Sequence, residues 1–346
     1  MFNQSIDRLN TGIDGLKSFI FINNEMRNLL GATQERFEPS YLEQTLSDLK
    51  KAGPSVAQWR IMDHCSVVGR LYALYEQFYE SILSEWIEFC STGKVYASLP
   101  ENVRSSYQEG FLYISSIITK SRYEHLSFPD LITQYNLALS GEINYRLTPE
   151  LLTYHKNNLR WPDLCELCTK CGIDNLQQWI SQSTVIAQHF QTDRKLHELT
   201  SSKLKNFIDY RNDAAHGSVA VDQILGPQDL IDFVSFIKSV CEAIYQLLNH
   251  RSIQMLIDDG KANNIGIVTE TFSSNIVVAL VEGIKLRKGD QVRIVTDRSY
   301  HVRSIINLKV DDNDTQEIFV ANAKEIGIKF DAPVPKRSKI VTLAIQ

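Results

Sequence analysis

No stretch of the 346 residues approaches 18 consecutive apolar positions, and the longest early run, Phe19-Ile20-Phe21-Ile22, is far too short to cross a bilayer. The chain also lacks a basic leader followed by an apolar segment and a small-residue cleavage site, so a cytoplasmic rather than secreted protein is expected, without membrane contact. Cysteine is sparse, with six residues, and without a secretory signal the reduced state is expected. No Gly-x-Ser-x-Gly elbow or His-Glu-x-x-His pair occurs. Ser91-Thr92-Gly93-Lys94 lacks the glycine spacing and following hydroxyl of a phosphate-binding loop. Neither charge sign dominates: 36 Lys and Arg against 41 Asp and Glu give a net charge of -5. That balance argues against a protein that coats nucleic acid nonspecifically, but not against one that cuts it at a local basic site. What is present is ordinary globular material, 43% hydrophobic and 22% charged, and the length suits two domains.

The pattern changes character near residue 261. Before it, helical periodicity dominates: Leu71, Leu74, Tyr75, Phe78, Ile82 and Trp86 recur at steps of three and four, with Glu76, Gln77, Glu80 and Glu85 between them. Helices are expected over about 56–89, 103–120, 161–170, 196–215 and 228–256, with one or two more in 175–191. Pro162 suits a first turn and Gly172 a stop. Residues 1–50 also read as helical, broken near Gly31 and Pro39. After it, the period is two, as in Gln291–Val295 and Glu325–Phe330, and about seven short strands imply a small antiparallel barrel or sandwich. The expectation is a multidomain chain: a helical extension over 1–54, an all-α domain over 55–260 and an all-β barrel over 261–346. From 262 onward twelve basic residues face ten acidic ones, which makes the barrel the likelier part to touch RNA or a ribosome.

Cys165, Cys168 and Cys171 form C-x-x-C-x-x-C, which on its face suggests a metal site. The segment reads as helix, no fourth ligand is near, and spacings of three place the sulfurs along one face beside Leu164 and Leu167. Packing is the better reading.

The stretch that carries chemistry runs from Asn206 to Gly217, where an amphipathic helix ends in Arg211-Asn212-Asp213-Ala214-Ala215-His216 before a glycine suited to the position past a helix end. On an unbroken helix Arg211 and His216 lie about 140° apart and do not share a face; if Gly217 stops the helix, His216 lies in its last turn and can bend round or meet its counterpart in a second subunit. These residue types suit phosphodiester cleavage without a metal or other cofactor. Histidine exchanges a proton near neutral pH, a guanidinium clamps phosphate oxygens, and Asn212 can hold a phosphate oxygen or orient the histidine. In RNA the neighbouring 2′-hydroxyl supplies the nucleophile.

Arg211-Asn212-x-x-x-His216-Gly217 resembles the Arg-x-x-x-x-His motif of the HEPN superfamily, all-helical domains of which many are metal-independent endoribonucleases in toxin–antitoxin, abortive-infection and other anti-phage systems. Tyr72-x-x-Tyr75-Glu76-x-Phe78 is similar to that family's early-helix signature, and Asn158–Trp161 through Cys171–Ile173 to the segment preceding its motif helix. The resemblance spans about residues 55–250. It implies a homodimer with Arg and His of both subunits facing one cleft. Arg211 would bind the scissile phosphate, His216 would act as acid and base, Asn212 would position the phosphate, and Glu76 would assist. The products would be a 2′,3′-cyclic phosphate and a 5′-hydroxyl. It also implies RNA, such as tRNA or ribosome-associated RNA, as substrate, and an antitoxin or defence-system partner. Asp213 adds a negative charge that could pair with Arg211 and weaken phosphate binding. The barrel, through Gly266–Val268, Leu286–Ile294, Ser304–Leu308 and Glu325–Phe330, resembles the second-domain barrel of translation GTPases.

A reading without catalysis stands beside this one. The polar cluster can cap a helix end, with His216 complementing the helix dipole, and Glu76 can be a solvated surface residue. The protein would then be a non-catalytic HEPN dimer that binds RNA or protein.

Overall fold

In the computed structural model, residues 1–31, 41–216, 223–311 and 313–344 are described. They divide into two compact units, one of residues 2–181 and 185–242, the other of Met1, residues 182–184 and residues from 243 on.

The first unit is helical. Its elements are α1 (Asn3–Gly31), α2 (Tyr41–Ala52), α3 (Val56–Ser91), α4 (Glu101–Ile117), α5 (Phe128–Leu139), α6 (Glu150–Thr153), α7 (Trp161–Lys170), α8 (Leu176–Gln182), α9 (Thr184–Phe190), α10 (Leu196–His216) and the start of α11 (Pro227–Asp258). The axis of the unit is α3, against which α1 and α10 pack. It starts where Ser55 and Gln58 form a reciprocal capping box, just past Gly53-Pro54. The stripe read from the sequence is its buried face, with Tyr75, Phe78, Ile82 and Trp86 enclosed. Two of these anchor loops as well as core: the Tyr75 hydroxyl donates to the Leu159 carbonyl at 2.9 Å, and Trp86 Nε1 donates to the Cys171 carbonyl at 2.9 Å. Pro162 opens α7, and Gly172 follows it with φ +78°, where a side chain would be strained. Cys168 and Cys171 are buried in the core and Cys165 is half-buried. Burial pushes the Cys165 thiol up to about 11 and Cys171 higher, which disfavours the thiolate that a metal or an electrophile would need. The α4 and α6 backbones meet at Gly110 and Leu151 closer than any side chain would permit. The periodicity alone does not announce α5 or the four-residue α6. Both begin at a proline-containing turn after a polar loop, too short for a helical repeat to register.

The second unit is a barrel. Its strands are β1 (Ala262–Ser273), β2 (Ile276–Val281), β3 (Ile284–Arg287), β4 (Gln291–Thr296), β5 (Ser299–Val310), β6 (Asn313–Thr315), β7 (Glu317–Val320), β8 (Lys324–Phe330) and β9 (Lys339–Leu343). Six of them close a ring in the order β4-β9-β1-β2-β8-β5 and back to β4, every neighbour antiparallel. β6 extends β5, and β3 pairs with β7 as a separate ribbon. The alternation read in Gln291–Val295 and Glu325–Phe330 is the inside–outside period of the wall, with Val292, Ile294, Ile326, Ile328 and Phe330 inside. A second cluster sets Ile253 of α11 among Ala262, Val295, Tyr300 and Val341. The described strands number nine rather than seven. β3 and β6 carry no readable pattern in the sequence, because four and three residues are too few to establish alternation. No helix among the described residues is long and apolar enough to cross a membrane.

Candidate functional site

Three elements of the helical unit build the site: the middle of α3, the non-helical stretch between α6 and α7, and the last two turns of α10. On α3, Tyr72 and Glu76 stand one turn apart and therefore on one face. On α10, Arg211 lays its guanidinium over the Tyr72 ring, 4.5 Å from the centroid, and donates from Nη1 to the Asn212 side-chain oxygen at 3.2 Å. That same oxygen accepts from Asn158 Nδ2 at 2.8 Å. Tyr72 is in turn fixed by its hydroxyl, which accepts from the Leu159 backbone N–H at 3.2 Å. Burial, with the nearby Glu76 charge, pushes the Tyr72 hydroxyl up to about 12, so it stays a phenol at any working pH.

Glu76 extends the cluster away from Arg211. Its carboxylate is hydrogen-bonded to His155 Nε2 at 2.8 Å, while His155 Nδ1 lies 3.3 Å from the Thr153 carbonyl. The His155 hydrogen bond holds the Glu76 carboxyl below the ordinary range, against burial. Burial opposes the charge on His155, yet the Glu76 carboxylate raises it overall. One turn further on, Glu80 pairs with Arg122 at 2.7 Å, and Arg122 adds positive potential at both Glu76 and His155.

The sequence-predicted residues divide into two groups. Arg211, Asn212 and, one turn along α3, Glu76 gather around Tyr72. His216 does not join them: α10 runs unbroken to His216, which is exposed in its last turn. The offset expected for five helical positions therefore holds, and one chain does not present both side chains to one point. Gly217 lies outside the described residues. Asp213 makes no ion pair with Arg211 among the described residues, because positions two apart on a helix face opposite ways. Its charge acts on His64 instead, a buried ring that packs edge-on to Tyr210 and accepts from the Leu225 N–H at 3.2 Å. Arg160 and Lys205 share Asp209, at 2.7 Å and 2.8 Å, so that carboxylate is also occupied away from Arg211.

Three members of the cluster, Tyr72, His155 and Asn158, are not among the residues to which the sequence assigns a role at the site. Tyr72 belongs to the aromatic signature of α3, but its role as a platform for Arg211 depends on a contact across the fold. Asn158 opens the segment similar to the one preceding the family's motif helix, but with no role attached to it; for His155 the polar run Tyr154-His-Lys-Asn-Asn158 between two helices is the local signal.

Chemically, the arrangement offers a cation flat on an aromatic ring, with no carboxylate partner among the described residues, beside a histidine–glutamate pair. That suits a phosphate or another oxyanion. A family model described as RiboL-PSP-HEPN matches residues 39–250, more than half of the chain. No curated protein matches the sequence.

Proposed function

The chain belongs to the RiboL-PSP-HEPN family, and on that footing we propose that it is a metal-independent endoribonuclease acting as a homodimer. The observation that carries this reading is Arg211. Its guanidinium is oriented by the Tyr72 ring and by Asn212, and among the described residues it has no carboxylate partner, the state a phosphate-binding arginine needs. The 2′-hydroxyl of the substrate attacks the adjacent phosphorus as a base removes its proton. Arg211 bears the charge that accumulates on the phosphoryl oxygens, and the bond to the 5′-oxygen breaks as an acid protonates it. A 2′,3′-cyclic phosphate and a 5′-hydroxyl result. His216 serves the proton transfers. Because it is exposed and about 140° around α10 from Arg211, the pair is completed by a second subunit, which supplies a histidine to the cleft of the first.

In this reading the substrate is RNA, with tRNA and ribosome-associated RNA the first classes to test, and the barrel, slightly basic by sequence, directs the catalytic domain to it. The biological setting that fits a cytoplasmic enzyme of this type is a toxin or anti-phage effector restrained by a partner.

The test is cleavage of total RNA and of tRNA in EDTA. Arg211→Ala should lower the rate by about 10²–10³ and His216→Ala by about 10²–10⁴. Mixing the two inactive variants should restore part of the activity if their side chains serve one shared cleft. Cleavage that survives both substitutions would refute the site. RNA or protein binding without any cleavage would favour the non-catalytic module.

A further inference from the structure

His155 sits where both of its ring nitrogens meet acceptors. Nδ1 faces the Thr153 carbonyl at 3.3 Å, and Nε2 faces the Glu76 carboxylate at 2.8 Å. A neutral imidazole has one N–H and can satisfy only one of these; the imidazolium satisfies both. The side chain is nearly enclosed, with 9% exposure against 33% for Glu76, so water does not substitute readily for the missing bond. The groups facing the pair are Tyr72 and Glu80 from α3, Arg122 from the loop before α5, and Arg211 from α10.

Glu76 is thus a carboxylate flanked by three cations, His155, Arg122 and Arg211, with different claims on it. Arg211 is close enough to act on it electrostatically but makes no hydrogen bond to it, whereas His155 does. Between them lies Tyr72, one turn from Glu76 and directly under Arg211. Arg122 is held by Glu80 at 2.7 Å, so without His155 the guanidinium left for the Glu76 carboxylate to turn to is that of Arg211, whose fork matches a carboxylate as well as it matches a phosphate.

We propose that His155 is a positioning residue that, as an imidazolium, pins Glu76 and so keeps the Arg211 guanidinium open to an incoming phosphate. The first step, that the pair holds Glu76 away from Arg211, is independent of any enzymatic activity. Only the last, that the open guanidinium receives RNA phosphate, rests on the ribonuclease reading above. The design is one of substitution: a buried internal cation takes the carboxylate so that the exposed one stays available. Removing the carboxylate should then cancel the effect of removing the histidine.

The experiment compares wild type, His155→Ala, Glu76→Gln and the double variant, with a melting curve on each to establish folding. Phenylglyoxal, which modifies free guanidinium groups, reports on Arg211 by peptide mapping without any RNA. The expected result is that His155→Ala slows modification of Arg211 about three- to fivefold, the range of a half-exposed ion pair, and that the double variant returns to the wild-type rate. Binding of a 2′-O-methyl oligoribonucleotide, which cannot be cleaved, should fall and recover in parallel. ¹⁵N spectra of histidine-labelled wild type should show both His155 nitrogens protonated at pH 6, below the ordinary imidazole value. If His155→Ala does not fold, His155→Gln carries the same test, since a neutral amide does not balance the carboxylate charge. An unchanged Arg211 modification rate in the histidine variants, or a double variant as slow as the single one, would overturn the proposal. A failure confined to the oligonucleotide arm would instead count against the ribonuclease reading.

Discussion

Gly110→Ala sets two well-founded expectations against each other. Alanine is favoured over glycine in a helix interior by about 1 kcal/mol, so on propensity alone the substitution in α4 stabilises. The structure says otherwise. A Cβ built on Gly110 falls 1.7 Å from the Leu151 carbonyl oxygen, 2.7 Å from its carbon and 3.0 Å from its Cα. These are backbone atoms of α6, so no rotamer change relieves the overlap, and α4 and α6 have to separate by more than an ångström. Overpacking costs about 1–3 kcal/mol and, where backbone must move as here, the top of that range or more, so after the propensity gain the net effect should be a loss of roughly 2 kcal/mol or more. Gly69→Ala in α3 is the control: its Cβ meets nothing within 4 Å, and it should gain up to about 1 kcal/mol. Urea unfolding followed by helical circular dichroism compares the two, with the helical transition fitted separately from any barrel transition. Displacement of α6 also moves Thr153, whose carbonyl holds His155, so Arg211 reactivity should change in Gly110→Ala and not in Gly69→Ala. A Gly110→Ala protein as stable as wild type would refute the helix contact itself.

The platform beneath Arg211 predicts a separation of effects. Tyr72→Phe removes the hydroxyl that accepts from Leu159 and should cost about 1 kcal/mol of stability while keeping oligonucleotide affinity, whereas Tyr72→Leu should lower both, affinity by about fivefold in a filter-binding assay. The Glu76–His155 pair predicts a plateau in stability against pH. Because His155 is raised in the folded state, its contribution is complete below about 6.5 and is lost as pH climbs through the raised value. Because Glu76 is lowered, its contribution is complete above about 4.5 and is lost as pH falls through the lowered value. Melting temperatures from pH 3 to 9 should show both limbs, and Glu76→Gln should flatten them; limbs that persist in that variant would assign them to other groups.

Much of the architecture was legible because it rests on long, regular signals. The α3 stripe is 36 residues of repeated three- and four-residue steps, and the barrel strands β4 and β8 alternate cleanly. Proline at the start of α7 and glycine past its end fix that helix without tertiary help. The site was legible only in part. Arg211 and Asn212 announce themselves as a motif, but the partners that define their state, Tyr72, Asn158 and His155, come from segments far away in the chain, and no spacing rule links them. Asp213 shows the converse. Proximity in sequence suggested a pairing with Arg211, and helix geometry turned it toward His64 instead.

The barrel closes only when β9 slides between β4 and β1, with Ala262 opposite Leu343 and Arg293 opposite Val341. The strand that begins the ring is therefore sealed by the one synthesised after all the others. Until that segment leaves the ribosome, β1 and β4 each present an unpaired edge, the kind of surface on which chains template one another. A premature stop before Lys339 would leave those edges open for good, and such a product should be cleared as an aggregate or a protease substrate even though every residue of the Arg211 cluster had already been made.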